Sequence, residues 1–187
     1  MNTTRIVWKN LYANTMEIIS VNPGDFISVD GAIVGEFKGE PINVQYHLEI
    51  DNDWTVQNVA IHIEGDSPFQ FIFEKNEEGN WSDKNGRILP ALNDCIDIDI
   101  SLTPFTNTLP IKRLRLTENE SKEITVLYLN LLTREYSPIK QRYTNIDGKF
   151  YKYENLSSDY TAILEIDEAG YVVNYPGIWQ RVYPSNA

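Results

Sequence analysis

Apolar and polar residues alternate one by one along much of this chain. The runs DFISVDGAIVGEF (25–37), PINVQYHLEI (41–50), WTVQNVAIHIE (54–64) and FQFIFEKN (69–76) are clear cases, rich in Val, Ile, Phe and Tyr. A period of two sends successive side chains to opposite faces of an extended backbone, so each run predicts a strand with one buried face. Later strands are expected over 95–102, 122–132, 139–146, 150–153, 160–167 and 171–176. EITVLYLNL (123–131) is β-branched and alternating, which favours strand over helix there. Turns fall between the runs: DND at 51–53, and Gly79 and Gly148 where positive φ is wanted. Short helices are expected only before Trp8 or after Pro176. Strands in this number must close into a sandwich, a barrel or one strongly curved sheet, because a flat sheet would expose too much edge.

Length and charge narrow the class. A chain of 187 residues without repeat, linker or low-complexity segment predicts one domain over 1–187, large enough to bury about 70% of its unfolded surface. No run approaches the roughly eighteen apolar residues of a membrane span. MNTTRIVWKN has charges at Arg5 and Lys9 with no apolar h-region between them, so cytoplasmic residence is expected. The single cysteine, Cys95, agrees with a reducing compartment and reads as a buried, inert thiol. The acidic balance, −11 at neutral pH, argues against nucleic acid and anionic membrane surfaces, which need clustered Lys and Arg.

Chemistry concentrates at CIDIDISLTPFTNTLPIKRL (95–114). Strand alternation places Cys95, Asp97, Asp99 and Ser101 on one face and Ile96, Ile98, Ile100 and Leu102 on the other. The Cα atoms of Asp97 and Asp99 would stand about 6.6 Å apart, within range of the carboxylate pairs of glycoside hydrolases. The simpler reading pairs these acids with Lys112 or Arg113, delivered by TPFTNTLP (103–110), whose two prolines suggest a stiff extended loop. Tyr143, Tyr151, Tyr153, Tyr171, Tyr175 and Trp179 crowd the last third and supply rings for packing or for a pocket wall. Serine-hydrolase, phosphate-loop, dinucleotide and zinc-protease signatures are absent from the sequence. His47 and His62 fall in adjacent strands, with Asp51 and Glu64 as conceivable further ligands, but a metal-free polar pair is favoured. No metal, cofactor or catalytic residue is assigned.

TPFTNTLPIKRL (103–114), preceded by the alternating aspartates, resembles the putative glycolipid-binding family. GNWSDKNGRILPAL (79–92), QRYTNIDGKFYKY (141–153) and LEIDEAGYVVNYPGIWQRV (164–182) agree in order, so the resemblance spans about 35–182. It implies a mainly β single domain, a curved and largely antiparallel sheet or half-barrel with few short helices. It also implies that the concavity holds an amphiphilic small molecule such as a glycolipid. Asp97, Asp99, Asn107, Arg113, Gln141 and Tyr143 are then candidates to orient the headgroup, and Tyr175 or Trp179 to stack on it. Two other classes stay open: a hydrolase of glycosidic or ester bonds using the paired aspartates, and a protein-interaction module offering an edge or aromatic patch.

Overall fold

The computed structural model describes residues 2–184. Its strands are β1 (Thr4–Asn10), β2 (Asn14–Asn22), β3 (Ile27–Phe37), β4 (Glu40–Ile50), β5 (Val56–Ile63), β6 (Phe69–Lys75), β7 (Trp81–Asp83), β8 (Cys95–Ile100), β9 (Ser121–Asn130), β10 (Glu135–Asn145), β11 (Phe150–Asn155), β12 (Tyr160–Ile166), β13 (Val172–Tyr175) and β14 (Trp179–Tyr183). They form a single sheet in the order β7-β6-β5-β4-β3-β2-β1-β14-β13-β12-β11-β10-β9-β8. Every neighbouring pair is antiparallel except β8 and β9. The parallel pair needs a crossover, and the helix α1 (Thr108–Leu114) supplies it.

The inner face of the first half is built in cross-strand rows. Val21, Val29, Leu48, Val59 and Phe73 stand side by side across β2 to β6, all buried. Each contributes roughly 1.5–3 kcal/mol by leaving water. In the next row Ile6, Ile19, Tyr46, Ile61 and Phe71 flank Gly31, and the Tyr46 ring lies over that glycine. A Cβ at position 31 would sit 2.0 Å from Tyr46 Cζ, so Gly31→Ala forces the ring out of place. The expected cost is about 1–3 kcal/mol, read as a lowered urea midpoint with an unchanged slope.

The sheet is not closed into a barrel. Its two edges meet through side chains: Trp81 Nε1 donates to Cys95 O at 2.8 Å, and Lys75 Nζ to Ile96 O at 3.0 Å. Register shows how they overlap. Ile98 and Ile100 pair with Leu127 and Leu129, Leu129 pairs with Tyr136, and the Tyr136 ring is 5.0 Å from Phe73 of β6. That face of β8 therefore looks toward β6, while the opposite face, carrying Asp97 and Asp99, looks into the concavity. Both faces are covered, which is why Asp97 and Ile98 are alike almost fully buried.

Three expectations are corrected. TPFTNTLP is not an extended loop: 105–107 form a 3-10 turn that runs into α1, and 103–111 are buried inside the curved sheet. Pro110 lies in the first turn of α1, where a missing N–H costs nothing, and Pro104 stands just before the 3-10 turn. The possible helices before Trp8 and after Pro176 are the strands β1 and β14, which pair with each other and make the sheet continuous. Ile96 does not share the buried face of Ile98 and Ile100: a register shift between Cys95 and Asp97 leaves it exposed. Gly79 and Gly148 do adopt positive φ, and Asp51 Oδ1 accepts the N–H groups of Asp53 and Thr55 to shape the β4–β5 turn.

Candidate functional site at one end of the sheet

Antiparallel alternation sorts the connections into two ends. Loops 11–13, 101–104, 131–134, 156–159 and 176–178 share one end, while 51–55, 76–80, 117–120, 146–149 and 167–170 share the other. At the first end β8 turns back on itself. Leu102 takes φ +66°, and Thr103 Oγ1 accepts the Phe105 N–H at 2.9 Å, so the chain enters the concavity as a helical turn.

The helix then threads a line of polar contacts. Thr106 Oγ1 accepts the Ile100 N–H at 3.3 Å and donates to Asp99 Oδ1 at 3.4 Å. Asp99 Oδ2 accepts Gln141 Nε2 at 2.6 Å, and that same nitrogen reaches Tyr153 Oη at 3.1 Å. Tyr143 donates to Asn107 Oδ1 at 2.9 Å, and Asn107 Nδ2 returns to Pro104 O. Farther along the helix Arg113 grips Asp97 with two bonds, Nε to Oδ1 at 3.0 Å and Nη2 to Oδ2 at 2.5 Å. Lys112 turns elsewhere: it donates to Ala169 O and lies 4.1 Å from the Trp54 ring centroid. Of the two basic residues expected to meet the acids, only Arg113 does.

A recess of about 250 Å³ opens above this network, lined among others by Asp99, Asn107, Tyr153, Tyr160, Tyr175 and Trp179. Three tyrosines make its wall, with ring centroids 6.2 Å (Tyr153–Tyr160), 6.4 Å (Tyr153–Tyr175) and 6.4 Å (Tyr160–Tyr175) apart. Desolvation raises the Asp99 carboxyl above the usual aspartate range, opposed by the bonds from Gln141 and Thr106. Burial likewise holds Tyr143, Tyr153 and Tyr175 in their neutral, hydrogen-bonding form.

Of the eight candidates, Asp99, Asn107, Tyr175 and Trp179 line the recess. Gln141 and Tyr143 stand behind it, bonded to Asp99 and Asn107. Asp97 and Arg113 pair outside the lining. The aspartates therefore do not share one cleft. Sequence reasoning missed Tyr128 and Tyr160 as lining residues. Tyr128 enters because the parallel register sets it opposite Asp99, and nothing in the sequence announces a parallel pair.

The remaining chemistry is dispersed. His47 Nδ1 bonds to Asp30 and His62 Nδ1 to Gln70, both on the outer face. Among the described residues no three His, Cys, Asp or Glu side chains converge as a metal would require. Burial pushes the Cys95 thiol up to about 11. No helix among the described residues is long and apolar enough to cross a membrane.

These features define a class: a curled, open antiparallel sheet filled by its own crossover helix, with a tyrosine-walled recess at one end. The chain belongs to the putative glycolipid-binding family, whose profile matches residues 5–181. It is similar to a DUF1089 family protein of Pseudomonas aeruginosa, known from a crystal structure, with a TM-score of 0.81 and 35% identity over 90% of this chain and 92% of that one. Comparison with the curated proteins finds no match.

Proposed function

We propose that this protein binds the sugar head of a glycolipid or a similar amphiphile in the recess walled by Tyr153, Tyr160 and Tyr175. The family's name supports a binding role. One observation carries the reading further: a desolvated carboxylate, Asp99, stands at the foot of a wall of aromatic rings. Sugars present apolar C–H faces that stack on such rings and hydroxyls that donate to such an acid. Gln141 and Thr106 fix the carboxylate, and Asn107, oriented by Tyr143, offers a second polar contact. Arg113 and Asp97 anchor the helix that carries Asn107 rather than touching the ligand.

The concave side is occupied by Phe105, Leu109 and Ile111, so the recess takes the head and the acyl tails stay outside. A single acid faces the recess among its described lining residues, where hydrolysis of a glycoside uses two, and this favours binding over catalysis.

Binding of a monohexosyl diacylglycerol, followed by tryptophan fluorescence, tests the assignment. Tyr160→Ala and Asp99→Asn should each weaken it about tenfold, the loss of one stacked ring or one charge-assisted hydrogen bond. Unchanged affinity in both variants, with melting curves like the parent's, would remove the recess from the function.

A further inference from the structure

Both ends of the sheet expose large apolar loop residues, Phe26 and Ile146 at the far end, but the loops around the recess differ from those in charge. Leu11 is 51% exposed, Tyr12 74% and Leu132 43%, three large apolar side chains at loop tips. Their backbones are tied to the recess wall. The Leu11 N–H donates to Ile178 O at 2.7 Å, and Leu131, beside Leu132, donates to Ser101 Oγ at 2.9 Å. Both acceptors belong to residues that line the recess. The apolar tips thus flank its mouth on two sides.

Charge is divided between the two ends in the same sense. The loops at the recess end, 38–39 and 64–68 included, carry two bases, Lys38 and Arg134, and three acids, Glu64, Asp66 and Asp159. The opposite end gathers Asp51, Asp53, Glu77, Glu78, Glu118 and Glu120 in its loops. A chain of net charge −11 is repelled by an anionic surface, yet the loops of its recess end are nearly balanced in charge. Exposed apolar tips with a tyrosine among them, and no basic cluster, fit an uncharged or zwitterionic lipid surface, where the ring settles at headgroup level.

We propose that this end of the sheet seats on a bilayer of uncharged or zwitterionic lipids, Leu11, Tyr12 and Leu132 entering its interface around the recess. The proposal rests on the headgroup reading above and adds to it the source of the ligand: a lipid still in its membrane, with its head lifted into the recess and its tails left in place. The acidic end faces away. Three shallow side chains give reversible seating rather than a permanent anchor.

Flotation of the full chain with phosphatidylcholine vesicles, with and without a monohexosyl diacylglycerol, is the test, run beside titration with a soluble methyl hexoside. The variant carrying Leu11→Ser and Tyr12→Ser should lose about tenfold in partition onto both kinds of vesicle, while hexoside affinity stays at the parent's value. Tyr160→Ala should instead lose hexoside affinity and only the glycolipid-dependent part of flotation. Flotation of the double variant equal to the parent's overturns the docking surface and leaves the headgroup reading standing. Absence of hexoside binding, with flotation still dependent on Leu11 and Tyr12, sinks the headgroup reading alone. A parent that does not float but forms a dimer broken by the double substitution assigns this surface to a second copy of the chain and overturns the proposal.

Discussion

Replacing Arg113 by methionine is expected to lower the free energy of unfolding by about 3–5 kcal/mol, seen as a melting temperature lower by roughly 10 °C. The size of the effect follows from what is left behind. Asp97 is fully buried on the concave face of β8, and both its oxygens are taken up by Arg113. With the guanidinium gone, the buried carboxylate loses its two hydrogen bonds and keeps only the charge of Lys75, which is bonded to Ile96 O, so the fold must either desolvate it largely alone or protonate it. The pair also ties the last turn of α1 to the strand beneath it, so its loss loosens the segment that carries Asn107 toward the recess. Removing both charges together distinguishes the two contributions. Asp97→Leu with Arg113→Met should recover most of the lost stability, because a well-packed apolar pair can replace a buried ion pair. If Arg113→Met alone costs less than about 1 kcal/mol, solvent reaches Asp97 and the burial assigned to it is wrong.

The strands were legible because one face of each is buried. Residues 41–50 and 56–63 alternate as a half-buried sheet requires, and the structure pairs them from Val44–Ile63 to Glu49–Asn58 before a register shift at Ile50. The crossover helix was not legible, for a reason that lies in two residue types. Thr106 and Thr108 are β-branched and read as extended, yet the Thr106 hydroxyl is satisfied by Asp99 and the Ile100 N–H inside the fold. Proline reads as a helix breaker, yet in a first turn it removes a donor that had no acceptor. Local pattern and tertiary context gave opposite answers there, and context won. The acids show the same division. A carboxylate in an alternating strand looks solvated, and only the helix folded onto that face makes it interior. Tyr153 and Tyr175 were visible as part of an aromatic cluster, whereas their grouping with Tyr160 depends on three strands lying side by side.

Glu17 was overlooked for the same reason, and it carries the second large effect. Along β2, Thr15, Glu17, Ile19 and Val21 all point inward, so an acid stands where the period calls for an aliphatic residue. It is fully buried: Oε1 accepts the Tyr46 hydroxyl, and Oε2 has no hydrogen-bond partner. Desolvation pushes its carboxyl up to about 8, with the nearby hydroxyls of Thr103 and Tyr46 opposing the shift. In the unfolded chain the same group loses its proton near 4.5. Between those two values the folded state holds a proton that the unfolded state has released, so stability falls as pH rises through that window and levels off above it. The slope is about 1.4 kcal/mol per pH unit, which amounts to about 3 kcal/mol by pH 7. Glu17→Gln keeps the shape and the oxygen that Tyr46 bonds but cannot ionise. It should therefore match the parent near pH 4.5, exceed it by about 3 kcal/mol at pH 7, and gain nothing further above pH 8. Asp99 shifts in the same direction and is present in both proteins, so the difference between their stability curves isolates Glu17. Parallel curves from pH 5 to 9 would mean that Glu17 is ionised in the fold, with its charge met by a group that the interior beside Tyr46 and Thr103 does not supply.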